Sequence, residues 1–154
     1  MSETLNICGL TIERGTKLRT YLPVPDTNVK IPLTIINGEN DGPTLLITAG
    51  IHGGEYPGIA AAMELGRDIE PEHVTGCLIM MHPVNIQGFW ARREMIVPED
   101  GKNLNRVFPG DPTGTLADKT AYLISNNFFP IADFYVDSRS LYLRRQHRTA
   151  FYSY

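Results

Sequence analysis

The segment TLLITAGIHGGE, residues 44–55, is a short apolar run that ends in a glycine-rich turn carrying a histidine and a glutamate. An apolar run without alternation is typical of a strand covered on both faces of a sheet. Helical spacing follows from Pro57 to about Arg67, and a second apolar run, GCLIMM, occupies residues 76–81. Strand, helix and strand within about 40 residues predict a βαβ unit with parallel pairing and a right-handed crossover.

The flanking segments extend this unit into an α/β fold. Three β-rich stretches precede it, at residues 5–12, 17–24 and 31–36, with a turn at Arg14-Gly15. A second helix is predicted over residues 115–129 and a third core strand over residues 132–137. We therefore expect a three-layer α/β/α arrangement around a central mixed, mostly parallel sheet.

Composition excludes several classes of protein. The chain has 154 residues, of which 42% are hydrophobic and 20% charged, and a net charge of −3. These values indicate one globular domain and argue against disorder and against nucleic-acid binding. Two cysteines, Cys8 and Cys77, are too few for a disulfide framework, and neither a signal peptide nor a membrane span is evident. We expect a reducing, cytoplasmic setting and no membrane partner.

His52 and Glu55 are the first candidates for chemistry. In α/β sheets, ligands bind beyond the carboxyl ends of the strands, and these two residues follow directly on a predicted strand. Imidazole and carboxylate three residues apart can face the same side and suit Zn²⁺, while the flanking glycines permit a sharp turn. The alternative is an ordinary surface pair, with the acid complementing the dipole of the following helix.

Two further polar clusters follow predicted strands or lie in loops. Asn105-Arg106 is suited to gripping a carboxylate, although a surface ion pair for Arg106 is the alternative. In the cluster NIQGFWARR, residues 85–93, Arg92 or Arg93 could point a cation into the site. The neighbouring rings, Phe89 and Trp90, are expected to be packing groups.

Four motifs together resemble one enzyme family. They are HGGE at residues 52–55, PVN at 83–85, GF at 88–89 and, above all, DGKNLNRVFPG at 100–110. In this order they resemble the succinylglutamate desuccinylase/aspartoacylase family, which has the zinc-carboxypeptidase-like fold. The resemblance runs from about residue 5 to residue 137.

The resemblance implies roles for five of these residues. His52 and Glu55 resemble the first two zinc ligands, and Asn105 and Arg106 resemble the pair that holds the substrate carboxylate. Arg92 resembles the arginine that polarises the scissile carbonyl, with Arg93 as its close alternative or as a further substrate-binding group. The implied activity is zinc-dependent hydrolysis of an amide, other than a peptide bond, in an acylated amino acid that bears a small carboxylate.

The chain departs from the family pattern after the third core strand. Where the family has Asp-Leu-His, with His as the third zinc ligand, this chain has Asp137-Ser138-Arg139. Arginine cannot ligate a metal, so we expect impaired zinc binding and turnover. A non-catalytic remnant is the alternative, binding a carboxylate through Arg92, Asn105 and Arg106 or forming a homo-oligomer through an exposed sheet edge.

The amino-acid composition of the chain also changes near residue 138. Residues 138–154 carry four arginines and no acid, whereas residues 1–137 have 10 basic and 17 acidic residues, a balance of −7. We therefore divide the chain into an incomplete zinc-hydrolase-like domain, residues 1–137, and an atypical Arg-rich tail, residues 138–154. The tail is expected to be replaced, or read out of frame, relative to a longer enzyme. A natural short domain whose tail binds something acidic is the alternative.

Overall fold

The structure, a computed structural model, describes residues 4–139. Its strands are β1 (Leu5–Ile7), β2 (Leu10–Ile12), β3 (Thr16–Pro23), β4 (Lys30–Asn37), β5 (Asn40–Ala49), β6 (Thr75–Met81) and β7 (Phe134–Ser138). Its α-helices are α1 (Tyr56–Asp68), α2 (Ile86–Trp90) and α3 (Leu116–Asn127). Beyond residue 139, the predicted Arg-rich tail lies outside the described residues, so the division at residue 138 stays a prediction.

A five-stranded mixed sheet forms the centre, in the order β3-β4-β6-β5-β7. β5 pairs in parallel with both β6 and β7, whereas β4 pairs antiparallel with β3 and β6. The βαβ unit β5-α1-β6 confirms the prediction made from residues 44–81. Among the described strands of this sheet, parallel and antiparallel neighbours are thus equal in number.

Helices cover both faces of the sheet. Cys77, Ile79 and Met81 of β6 belong to the main core, which also contains the buried side of α3. Leu78 and Met80 point to the opposite face, where α1 lies. Because both faces are covered, β6 is buried from its second residue to its last. The predicted three-layer architecture is confirmed.

Small residues on α1 allow it to approach the sheet closely. Its buried positions include Gly58, Ala62 and Gly66. A Cβ atom added at Gly58 would lie 2.7 Å from the carbonyl oxygen of Ser138, at the end of β7. α1 therefore packs against the end of the outer parallel strand with no room for a side chain between them.

A small hairpin, β1-β2, replaces the single apolar stretch expected at residues 5–12. Ile7 pairs with Leu10, and the two residues between them, Cys8 and Gly9, have φ values of 49° and 76°. Positive φ at both central positions is the geometry of a type I′ hairpin turn. The turn expected at Arg14-Gly15 is confirmed, with Gly15 at φ 70° between β2 and β3. No helix in the described part of the chain is long and apolar enough to cross a membrane.

A buried histidine follows β6 beneath α1. The Nε2 atom of His82 lies 3.0 Å from the hydroxyl of Thr34, while its Nδ1 atom is buried with no hydrogen-bond partner among the described residues. Burial lowers the pKa of His82, and the charge of Arg19 acts in the same direction. The folded protein therefore holds this imidazole neutral at pH values where an exposed histidine would begin to take up a proton.

The burial of His82 predicts that the free energy of unfolding falls in acid. Unfolded His82 titrates near about pH 6.5, so the unfolded state binds more protons once the pH falls below that value. The stability contribution of neutral His82 should be complete above about pH 6.5 and decline as the pH falls towards the lowered folded-state pKa. Urea denaturation between pH 5 and pH 8 should show a smaller acid loss in His82→Asn than in wild type. The matched control is His73→Asn, at an exposed position, which should leave the pH dependence unchanged. An equal acid loss in wild type and His82→Asn would contradict this assignment.

Candidate active site

Three parallel strands end at the same edge of the sheet, and two of them are followed by residues of the candidate site. β5 leads into the turn that carries His52, and β7 leads into Arg139. Ala49 pairs with Ser138 at the ends of these two neighbouring strands. The register therefore brings the His52 turn and Arg139 to one place, although 87 positions separate them in the sequence.

His52 and Glu55 face each other across this turn. The Nδ1 atom of His52 lies 3.0 Å from Oε1 of Glu55, and the two side chains are 13% and 8% exposed. The second carboxylate oxygen of Glu55, Oε2, is buried with no hydrogen-bond partner in the described residues. Two candidate ligand atoms thus converge, and a buried acceptor beside them is left unsatisfied, as at a site made for a cation.

The electrostatic environment of His52 reflects this convergence. Its pKa is raised, mainly by the hydrogen bond to Glu55, against the opposing effect of burial. A hydrogen bond to Asn103 also raises it, while the positive charge of Arg139 lowers it. Arg139 is therefore close enough to act on this imidazole through its charge.

Asn103 is a site residue that the sequence interpretation missed. Its Oδ1 lies 3.0 Å from Nε2 of His52 and accepts a hydrogen bond of 3.0 Å from the backbone N–H of Asn105. An acceptor on the outer ring nitrogen fixes the tautomer and orientation of a ligating histidine. The one available signal was its place two residues before Asn105, but asparagine is so common in turns that the sequence did not distinguish this role.

The loop that carries Asn103 is anchored to α3. Asp100 accepts hydrogen bonds from the Thr115 hydroxyl (2.6 Å) and from the backbone N–H of Ala117 (2.8 Å), both at the start of that helix. Lys102 forms an ion pair with Asp118 in the first turn of the same helix. These contacts hold the short 3-10 turn Leu104–Arg106 against the core.

Asn105 and Arg106 line a cavity of about 300 Å³ beside the His52–Glu55 pair. Arg139 lines it too; its Nε donates to Asp137 and its guanidinium donates a 2.7 Å hydrogen bond to Oδ1 of Asn105. The remaining walls are formed by Ile51, Phe108, Phe129, Tyr135 and Asp137. The structure therefore places Asn105 and Arg106 in one cavity with Arg139 and with Ile51, the residue before His52. The roles predicted for His52, Glu55, Asn105 and Arg106 stay predictions.

Arg92 and Arg93 are placed elsewhere. Arg92, at φ 53° after the end of α2, lines a separate cavity of about 580 Å³ with Tyr56, Phe89 and Trp90. Arg93 is exposed. The structure does not bring either arginine to the cavity of Asn105 and Arg106, and their predicted roles stay predictions. The expectation that Trp90 is a packing group is wrong, because its side chain is 75% exposed while Phe89 packs against the buried side of α1.

The described residues do not complete a zinc site. Catalytic zinc takes three protein ligands, and no group of three or more His, Cys, Asp or Glu side chains that could hold a metal ion occurs within residues 4–139. His52 and Glu55 supply two ligand atoms, and the positive charge of Arg139 acts on the His52 imidazole. Arginine remains protonated and offers no lone pair, so its charge opposes a cation there.

The turn that carries His52 lies in very close contact with α2. A Cβ atom added at Gly53 would lie 2.3 Å from the carbonyl carbon of Gly88 and 2.4 Å from the backbone nitrogen of Phe89. Only glycine fits at this position, because the obstructing atoms belong to the backbone and cannot rotate away. The position of the His52 ring therefore depends on the packing of this turn against α2.

Comparison with known proteins supports the family resemblance. The family model described as the succinylglutamate desuccinylase/aspartoacylase catalytic domain matches residues 41–138. An N-alpha-acetyl-L-2,4-diaminobutyric acid deacetylase from Halomonas elongata is 39% identical over 127 residues, which are 78% of this chain and 36% of that protein.

Solved structures show the same likeness in the fold. A succinylglutamate desuccinylase/aspartoacylase from Rhodobacter sphaeroides superimposes with a TM-score of 0.73 at 37% identity, covering 80% of this chain and 40% of that one. The product-bound ectoine utilization protein EutE (DoeB) from Ruegeria pomeroyi gives a TM-score of 0.76 at 35% identity, covering 88% and 42%. This chain spans about two fifths of the length of these relatives.

The contacts of Asp100 predict that the loop bearing Asn103, Asn105 and Arg106 depends on this carboxylate. Asp100→Ala should lower the free energy of unfolding by about 1–3 kcal/mol, because two donors at the start of α3 lose their acceptor. Urea denaturation measures the change. Asp111→Ala is the matched control, since among the described residues the Asp111 carboxylate accepts hydrogen bonds only from Thr113, two residues away, and it should cost less. Equal losses in the two variants would contradict the anchoring role.

The close backbone contact at Gly53 predicts a second effect on the free energy of unfolding, independent of the effect at Asp100. Gly53→Ala forces the His52 turn and α2 apart and should cost about 1–3 kcal/mol in unfolding free energy, through overlap of backbone atoms. Gly101→Ala provides the comparison, because Gly101 has a φ of 69° but nothing within 4 Å of an added Cβ. Only backbone strain of about 1 kcal/mol is expected there. A smaller loss at Gly53 than at Gly101, measured by thermal or urea denaturation, would contradict the close contact.

Proposed function

Because the chain belongs to the succinylglutamate desuccinylase/aspartoacylase family, we propose that it carries the first two metal ligands and the carboxylate-binding pair of a zinc-dependent deacylase. The proposed reaction is hydrolysis of an amide bond in an acylated amino acid that bears a small carboxylate. The observation that carries the proposal is the 3.0 Å approach of His52 Nδ1 to Glu55 Oε1, beside a buried carboxylate oxygen without a described partner.

The substrate class is supported by chemistry and by similarity. Asn105 and Arg106 line one cavity, and an amide beside a guanidinium can hold a carboxylate through several charge-assisted hydrogen bonds. The Halomonas elongata relative is a deacetylase of an N-acetylated amino acid, which is a reaction of the same type. Arg92, with Arg93 as the alternative, remains the proposed arginine for the scissile carbonyl.

Arg139 limits what this chain does with zinc. In such enzymes the metal lowers the pKa of a bound water and polarises the carbonyl, and three protein ligands hold it. Here two ligands face a guanidinium, so we assign no step of the reaction to zinc in this chain. We propose that arginine at position 139 impairs both zinc binding and turnover.

We also propose a reducing, cytoplasmic environment and a homo-oligomer. Cys8 and Cys77 are both free, which supports a reducing, cytoplasmic environment. Burial raises the pKa of the Cys77 thiol to about 11, so this cysteine stays protonated and unreactive.

β7 is the outer strand of the described sheet and Phe134 is largely exposed on it, which supports a homo-oligomer through this edge.

Zinc binding by variants at position 139 tests the proposal. Arg139→His replaces the guanidinium with an imidazole, which adds a third ligand to His52 and Glu55. We expect stoichiometric zinc after equilibrium dialysis, with an affinity about 100-fold or more above that of the present chain. Elemental analysis of the dialysed protein and competition with a coloured zinc indicator give the two quantities.

Two controls separate ligation from the mere removal of charge. Arg139→Gln removes the repulsion without adding a ligand and should gain far less affinity than Arg139→His. Adding His52→Ala to Arg139→His should abolish the gain. The proposal fails if the present chain already binds zinc as tightly as Arg139→His, or if the gain survives the loss of His52.

A further inference from the structure

The two outer strands of the described sheet differ in how their free edges are protected. β3 carries Lys17 and Arg19 and ends at Pro23, and such residues keep an edge strand from pairing with another chain. β7, at the opposite edge, has no lysine, arginine or proline within Phe134–Ser138. Among the described strands, β5 alone pairs with it. β7 therefore offers its second side to another strand.

The pairing with β5 determines which backbone groups of β7 face outward. The backbone N–H of Asp133 donates a 2.9 Å hydrogen bond to the carbonyl oxygen of Thr44. Backbone groups alternate between the two sides of a strand, so every second residue counted from Asp133 also bonds towards β5. The residues between them have N–H and C=O groups that point away from the sheet; these are Phe134, Val136 and Ser138.

The free edge has an apolar row on the face that α1 covers. Phe134 pairs with Leu45 and Val136 pairs with Ile47, and both β5 residues pack against the apolar cluster on that face. Phe134 is 61% exposed, whereas Leu45 beside it is half-buried. A strand added beside β7 would cover this row.

α1 extends the apolar surface past the end of β7. Gly58 lies so close to Ser138 that no side chain fits between them. Ala61 and Leu65 follow Gly58 at spacings of three and seven residues, so the three residues share one side of the helix and form the α1 stripe. Ala61 and Leu65 are both exposed. A side chain opposite Ser138 on a neighbouring strand would therefore lie beside the α1 stripe.

The charges at the ends of β7 favour one register for two antiparallel copies. The two-fold axis must relate a residue to its own copy, because opposite residues must both have outward-facing or both have inward-facing backbone groups. An axis at Val136 places Asp133 of each copy opposite Arg139 of the other. An axis at Tyr135 places Asp133 opposite Asp137, and an axis at Asp137 places that carboxylate opposite its own copy. Of these three registers, only the one centred on Val136 sets opposite charges against each other.

Arg139 and Asp133 both have hydrogen-bonding capacity left for this pairing. Arginine has five N–H donors, and in Arg139 the Nε donates to Asp137 and one terminal nitrogen to Asn105. Asp133 accepts a backbone N–H of β5 with Oδ2, and its Oδ1 has no partner among the described residues. The negative charges of Asp137 and of the buried Glu55 already act on Arg139. We therefore expect the added ion pair to select the register and the apolar contacts to supply most of the affinity.

We propose that β7 pairs with β7 of a second copy of this chain, antiparallel and centred on Val136, so that the two sheets join into one. Phe134 lies opposite Ser138 of the other copy, beside its α1 stripe, and Asp133 lies opposite Arg139 of the other copy. This pairing rests on the proposed homo-oligomer through the β7 edge. It goes further because it fixes the register and brings a carboxylate of the second copy to a residue that lines the candidate cavity.

Sedimentation velocity of the full chain over about two decades of protein concentration measures the Kd of the dimer. Phe134→Ala should raise this Kd about tenfold or more, because both copies lose a ring that the dimer buries. Tyr21→Ala is the matched control, because Tyr21 is a similarly exposed ring (65%) on the other outer strand, and it should leave the Kd unchanged. A monomer at every concentration, or an equal rise in both variants, would overturn the proposal.

The charge at position 133 tests the register. Asp133→Asn keeps an oxygen that can accept the backbone N–H of Thr44, so the pairing of β7 with β5 is preserved. In the proposed register this change removes an attraction to Arg139 at both ends of the dimer and should raise the Kd about two- to tenfold at low salt, and less at high salt. In the register centred on Tyr135 it would remove a repulsion between Asp133 and Asp137. An unchanged or lowered Kd would therefore contradict the proposed register.

Cross-linking through cysteine at position 136 tests the register by distance. Opposite Cα atoms of a hydrogen-bonded antiparallel pair are about 5.5 Å apart, which a disulfide can span. Val136→Cys in a Cys8→Ser background, where the remaining Cys77 is buried, should give a covalent dimer under a mild oxidant. Tyr21→Cys in the same background should not. A dimer that sediments as such but does not cross-link at position 136 would overturn the register and leave the homo-oligomer standing. Zinc binding by Arg139→His tests the proposed deacylase site separately.

Discussion

The parallel pairing of β5 with both of its neighbours is the constraint on which the site depends. With β5 between β6 and β7, the carboxyl ends of all three strands open at one edge of the sheet. Thr48 reinforces this register, since its hydroxyl donates to Asp137 and lies 2.8 Å from the hydroxyl of Tyr135 on β7. The turn after β5 and the residue after β7 therefore meet at this edge of the sheet.

Much of the fold could be predicted from local pattern. The apolar runs that became β5 and β6 are short and unalternating because both faces of the sheet are covered, and the helical spacing between them is equally local. Strand order is a property of tertiary packing, and no sequence pattern indicated that β4 would lie antiparallel beside β6. The β1-β2 hairpin was missed for a different reason. Its turn uses positive φ at Cys8, a residue that carries no turn signal of its own.

The candidate site, like the fold, could be predicted from the sequence only where it depends on local spacing. His52 and Glu55 are three residues apart, so their convergence is a local property that spacing predicts. The meeting of Arg139 with Asn105 depends on the register of β7 against β5, and the displacement of Arg92 depends on the backbone at the end of α2. Asn103 could not be distinguished from a turn-forming asparagine until its distance to the imidazole was known. Family membership came from the combined order of several motifs, because each one alone is common.

The contact between Gly53 and Gly88 joins two parts of the molecule that otherwise look separate. Gly53 belongs to the turn that carries His52 and Glu55, and Gly88 belongs to α2, which ends at the exposed Trp90. Tyr56, which directly follows Glu55 in the chain, lines one cavity with Trp90. Backbone atoms are in contact there, and no side chain lies between them that could change its conformation. The backbone of the turn that carries His52 and Glu55 therefore has no room to move towards α2, and the position of this pair depends on where α2 lies.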